Sequence, residues 1–118
     1  RGLGFFVTGI HDYDGLFDVD FSSTKLERVR SGESAMDHAM LFTGVDLDEA
    51  GQPRAWRVEN SWGDEPGDSG FFTMDDQWFT DNVFEVVVPK SALPEDLAAA
   101  VDSEPIVLPA WDPMGTLA

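Results

Sequence analysis

Two apolar runs on either side of one short turn constrain this chain more than any other feature in it. Asp37 to Val45 (Asp-His-Ala-Met-Leu-Phe-Thr-Gly-Val) and Trp56 to Gly63 (Trp-Arg-Val-Glu-Asn-Ser-Trp-Gly) both have strand character. Between them, Asp46 to Pro53 supplies the Asp, Gly and Pro of a turn, so the two runs predict a hairpin. With the turn centred near Glu49, His38 falls opposite Asn60. Directly opposed side chains share a face with Cβ atoms about 5 Å apart, close enough for an imidazole nitrogen to bond an amide oxygen. A histidine oriented by a neutral amide is held in one tautomer, which suits it to exchange a proton with a thiol.

The remaining chain reads as short elements around this hairpin. Residues 3–8 have the pattern of a short strand, and Gly9 to Asp20 looks like a loop with Asp12, Asp14 and Gly15 as its turn residues. Thr24-Lys25-Leu26-Glu27 fits a capping box and predicts a helix to about Arg30, ended by Gly32. Asp64 to Gly70 is a loop by composition. Phe71 to Met74 reads as a strand, Asp75 to Asp81 as a turn or helical piece carrying Trp78 and Phe79, and Val83 to Val88 as a β-branched strand stopped by Pro89. Pro94, Glu95 and Asp96 open a further helix through Ala98 to Ala100. Four or five strands with few helices predict an α+β fold with an antiparallel, partly closed sheet. Two parts are expected, a β-rich portion over 1–92 and a helix with an extended C-terminal arm over 93–118. Pro105, Pro109 and Pro113 hold that arm extended, and Ile106, Val107, Leu108, Trp111, Met114 and Leu117 suit it to docking on a surface or in a cleft.

Composition narrows the chemistry. At 118 residues and 42% hydrophobic, the chain suits one small domain. Five Arg and two Lys against 23 acids give a formal charge of −16, which disfavours nucleic acid and anionic membranes as partners. No run of eighteen apolar residues exists to span a bilayer. With no cysteine, the chain has no disulfide, no cysteine metal site and no thiol nucleophile of its own. The two histidines stand 27 residues apart without ligand spacing, so no metal site is expected. His11 has no partner motif and reads as a surface loop residue. Asp46, Asp48 and Glu49 lack the spacing of a calcium loop and read as a turn.

Asp-His-Ala-Met at 37–40, Val-Glu-Asn-Ser-Trp-Gly at 58–63, the Trp78-Phe79 segment and the final Ala-Trp-Asp-Pro-Met-Gly-Thr-Leu-Ala together resemble the bleomycin hydrolase and bacterial aminopeptidase C family of papain-like cysteine peptidases. The likeness runs over nearly the whole chain. It implies the C-terminal, β-rich half of a papain-like fold, with His38 as the base and Asn60 as its orienting partner in a Cys-His-Asn arrangement. It also implies that Trp62 covers the Asn–His bond, and that the nucleophile lies in an upstream half. The start at Arg1, without Met, fits such a fragment, which alone is expected to be inactive.

Further implications of the resemblance concern the whole protein. The C-terminal arm lies along the active-site cleft, and the carboxylate of Ala118 is placed to hold the free amine of a peptide substrate, making the enzyme an aminopeptidase. No cofactor or metal is implied, and the enzyme is expected to be cytoplasmic and a homo-hexamer. Gln52 and Gln77 sit in no motif that assigns them an oxyanion role. Asp37 departs from the small hydroxyl residue usual before the family's histidine, which bears on the pH optimum rather than on His38. The alternative is a non-catalytic β-domain serving binding or oligomer assembly.

Overall fold

The computed structural model describes residues 3–114. Its elements in chain order are β1 (Phe5–Phe6), α1 (Tyr13–Phe17), α2 (Lys25–Ser31), β2 (Leu41–Leu47), β3 (Pro53–Glu59), β4 (Phe71–Asp75), α3 (Asp76–Asn82), a 3-10 turn (Lys90–Ala92) and α4 (Glu95–Val101). The strands form one sheet in the order β1-β4-β3-β2. β2, β3 and β4 are antiparallel, as the hairpin pattern predicts, while β1 joins the far edge parallel to β4. The sheet is mixed and open. Val83 to Val88, expected as a further strand, joins no ladder among the described residues.

The hairpin turn is held by its own acid. Asp48 Oδ1 accepts from the backbone N–H groups of Ala50 and Gln52, each at 2.8 Å, and Gly51 takes φ +79°. That carboxylate is occupied by the turn, whereas Asp46, expected in the turn, lies in β2 opposite Ala55, and Pro53 opens β3. Two register irregularities, between Phe42 and Gly44 and between Asp46 and Leu47, move the pairing away from a simple hairpin centred on Glu49. Leu41 therefore lies opposite Glu59, and β2 starts only there. His38 precedes the strand it was expected to occupy.

One face of the sheet forms the core. Val58, Phe72 and Met74 are buried at its centre, with Phe6, Phe42, Trp56, Trp78 and Phe79 packed around them. Alternation explains this face, since Val58 and Trp56 stand two apart on β3, and Phe72 and Met74 two apart on β4. Trp56 stacks on Phe79 of α3 with ring centroids 4.7 Å apart and donates Nε1–H to Asp76 at 2.9 Å. Asp75 ties three parts together: it caps α3 through the Trp78 N–H, and its other oxygen accepts from Thr8 N–H at 2.9 Å, after β1.

α2 is built as its sequence predicts. Thr24 and Glu27 exchange both bonds of a capping box, and Gly32 ends the helix at φ +76°. The bonds from Thr24, first from its backbone N–H and then from its hydroxyl, hold the Glu27 carboxyl below the usual glutamate range. Lys25 donates to the carbonyls of Thr80 (2.9 Å) and Val83, and Arg28 to that of Asp81 (2.9 Å). These are carbonyls at the C-terminal end of α3, where a helix leaves acceptors unpaired and favours positive charge. α1 was not expected. Asp12 and Asp14 suit a turn by residue type, but Asp12 caps a single helical turn by accepting from Gly15 N–H at 2.9 Å.

Candidate active site

Asn60 follows the last residue of β3 and is 93% buried, with 7% of its surface exposed. Its backbone N–H donates to Gly70 O at 3.1 Å, which holds it at the mouth of the loop between β3 and β4. Its Oδ1 lies 2.8 Å from His38 Nε2. Continuing the register beyond Leu41–Glu59 would set Met40, not His38, opposite Asn60. His38 reaches the amide diagonally, from two residues earlier in the extended segment before β2, on the same face as that position. The contact expected from the sequence exists, through a different register.

The backbone fixes the roles of the atoms. Ser61 N–H also donates to Asn60 Oδ1, at 2.9 Å, so that atom is an oxygen accepting two bonds. His38 Nε2 must therefore carry a proton and donate to Asn60. The neutral imidazole then has its lone pair on Nδ1. Trp62 stacks on this ring, with centroids 5.1 Å apart and planes inclined by 24°. Its own edge meets Phe72 of the core at 6.0 Å. Asn60 thus anchors the imidazole from below while Trp62 limits how the ring can tilt. His38 remains exposed, as does the neighbouring Asp37.

The way the Trp62 loop is held could not be read from local residue pattern. Gly67 takes φ +70°, and a Cβ there would lie 2.3 Å from Phe71 O; at Gly70, φ +85°, it would lie 2.7 Å from Gly63 O. The loop folds back on its own backbone at both points, which only glycine permits. In the sequence these glycines signal a loop without giving its direction. Ser61 contributes only a backbone N–H, which no side-chain motif reports.

His38, Asn60 and Trp62 are brought together; Ala118 lies outside the described residues. His11 sits away from them with its ring 5.5 Å from that of Tyr13. Among the described residues no group of three or more His, Asp or Glu side chains is arranged to hold a metal, and no helix is long and apolar enough to cross a membrane.

A model of the Peptidase C1-like family matches residues 1–115. The chain belongs to that family. Within it, aminopeptidase C of Lactobacillus helveticus is 50% identical over 121 residues, covering 100% of this chain and 27% of its own length. Bleomycin hydrolase of Homo sapiens is 46% identical over 119 residues, covering 98% of this chain and 26% of its own. The crystal structure of PepW from Lactobacillus rhamnosis is similar with a TM-score of 0.86 at 48% identity, over 100% of this chain and 27% of that one. This member of the Peptidase C1-like family therefore corresponds to about a quarter of the relatives it matches, a C-terminal portion.

Proposed function

We propose that this chain is the histidine- and asparagine-bearing portion of a cysteine aminopeptidase, which removes N-terminal residues from peptides with a nucleophile supplied from outside these 118 residues. One observation carries the reading: an imidazole tied through Nε2 to a buried amide oxygen, stacked under Trp62, with Nδ1 free to face a thiol. His38 Nδ1 accepts the thiol proton, and the imidazolium stays bonded to Asn60 while the thiolate attacks the peptide carbonyl. As the tetrahedral species collapses, the Nδ1 proton passes to the leaving amine, and the acyl group remains on sulfur until water, deprotonated by His38, releases it. Asn60 holds tautomer and ring orientation throughout. The buried Asn60 Nδ2, which has no acceptor among the described residues, fits a site completed by another part of the protein.

Aminopeptidase action adds the arm. In this reading the carboxylate of Ala118 pairs with the substrate's ammonium and blocks the cleft beyond it. The chain alone, lacking cysteine, is inactive.

The test is activity of the full-length, cysteine-bearing protein on aminoacyl and N-acetylated aminoacyl reporters. The free-amine reporter should be cleaved and the acetylated one spared. His38→Ala should lower kcat/KM by about 10²–10⁴-fold, the usual contribution of a positioned acid–base group. Full activity of His38→Ala, or no activity in a folded cysteine-bearing protein, would overturn the reading.

A further inference from the structure

Asp37 immediately precedes the imidazole-bearing residue, yet it takes no part in the chemistry proposed for the site. It is exposed and makes no hydrogen bond or ion pair with any described residue. Its charge is not offset across the ring either. Asp64 and Glu65, both exposed and also outside the two ion pairs among the described residues, follow Trp62, whose ring stacks on His38. An unpaired carboxylate beside a proton-transfer group acts on whatever the reaction brings there.

The proton transfer decides what that is. His38 Nδ1 gives its proton to the nitrogen of the leaving residue, which is the second residue of the peptide. That nitrogen must therefore come within about 3 Å of the ring. The Cα atoms of Asp37 and His38 are about 3.8 Å apart, and neighbours on an extended segment point to opposite sides. Asp37 thus leaves the imidazole to Asn60 while standing one residue away from the departing nitrogen. The side chain of the second residue begins one bond from that nitrogen. A lysine or arginine there has a long, flexible stem that carries its charge to the carboxylate, whereas a glutamate or aspartate meets a like charge. The first residue stays on the sulfur with its ammonium held by the arm, so Asp37 is left to the second.

We propose that Asp37 is a specificity-determining residue for the leaving side of the substrate, favouring peptides with lysine or arginine in second position over those with glutamate or aspartate. The assignment rests on the aminopeptidase reading of the site. Any influence of the same carboxylate on His38 would change all substrates together. Discrimination between second residues requires that the charge act on the substrate itself.

The experiment compares Ala-Lys-amide with Ala-Glu-amide on the full-length, cysteine-bearing protein at neutral pH, measuring the alanine released. One exposed charge pair changes kcat/KM by about 2- to 5-fold, and the two peptides differ by an attraction on one side and a repulsion on the other. The ratio of the two kcat/KM values should therefore favour lysine and fall by about 3-fold or more in Asp37→Asn, with a further fall in Asp37→Lys. Taking the ratio cancels effects that pass through His38, because both peptides share the scissile step. A smaller fall in Asp37→Asn, or no further fall in Asp37→Lys, overturns the assignment and leaves the aminopeptidase reading standing. Cleavage of neither peptide by the folded protein overturns both.

Discussion

The sheet formed by β2, β3 and β4 and the stretch from Phe84 to Met114 contain similar proportions of apolar residues but use them in opposite ways. In the sheet, Val58 and Met74 are fully buried and Phe72 nearly so, and aromatic rings close the core at centroid distances of 4.7 to 5.7 Å. In the later stretch, Val87, Ile106, Val107 and Trp111 are each at least 80% exposed. The difference is one of completed contacts rather than hydrophobicity. The first region finds its partners within the chain, and the half-open site lies where that self-sufficiency ends: Asn60 is buried on the core side, His38 exposed on the other.

The largest effect expected from breaking this comparison is at the core. Met74→Ala in the full-length protein should cost about 2–5 kcal/mol in urea unfolding, through lost burial and a cavity that the surrounding rings cannot fill. Val87→Ala, judged by contacts within this chain alone, should cost less than about 0.5 kcal/mol, as at an exposed position. Any larger loss at Val87 measures what the rest of the protein adds there. A cost below about 1 kcal/mol at Met74 would mean that the sheet is not the packed unit described here.

A smaller effect is expected at Trp62, which lies between the imidazole of His38 and Phe72 of the core. Aromatic stacking contributes about 0.5–1.5 kcal/mol beyond burial, so Trp62→Ala should lower kcat/KM by about 2- to 12-fold, well short of the loss at His38→Ala. Trp62→Phe should recover part of it, because a ring remains over the imidazole. A loss as large as that of His38→Ala would show that Trp62 does more than restrict the ring. No loss at all would separate the stacking from the chemistry.

Much of the self-sufficient region was legible in the sequence because its signals are local. Thr24, Glu27 and Gly32 specify both ends of α2 without reference to any other part of the chain, and Asp48 with Gly51 specifies the hairpin turn. The pairing of His38 with Asn60 was legible too, although its register was not. Bulges between Phe42 and Gly44 and between Asp46 and Leu47 depend on how β2 packs, which no count from the turn can reveal. Strand pattern at Val83 to Val88 misled for a related reason: β-propensity reports fitness for a sheet, while membership requires a neighbour with free backbone groups. The parallel β1 and the Lys25 and Arg28 contacts to α3 join residues more than fifty positions apart, a distance over which single-sequence patterns carry no information.

The smallest expected effect comes from two exposed ion pairs, one in each region. Arg54 bonds Asp46 across the hairpin at 2.7 Å, and Lys90 bonds Asp102 at 2.5 Å, linking the 3-10 turn to the end of α4. The hydrogen bonds that Arg54 donates to Asp46, and then the charge of Asp46, raise the pKa of Arg54 above the usual arginine value. All four side chains are more than half exposed, from 51% to 70%, and solvent screens such pairs strongly. Arg54→Met and Lys90→Met should each move the thermal midpoint by less than about 2 °C. In 1 M salt, where the screening length is about 3 Å, even that difference should shrink. Equal, small shifts would show that neither region depends on its surface charges, leaving burial as what distinguishes them. A shift of several degrees for Lys90→Met alone would instead show that the segment from Lys90 to Asp102 relies on this ion pair because the apolar partners the sheet enjoys are lacking there.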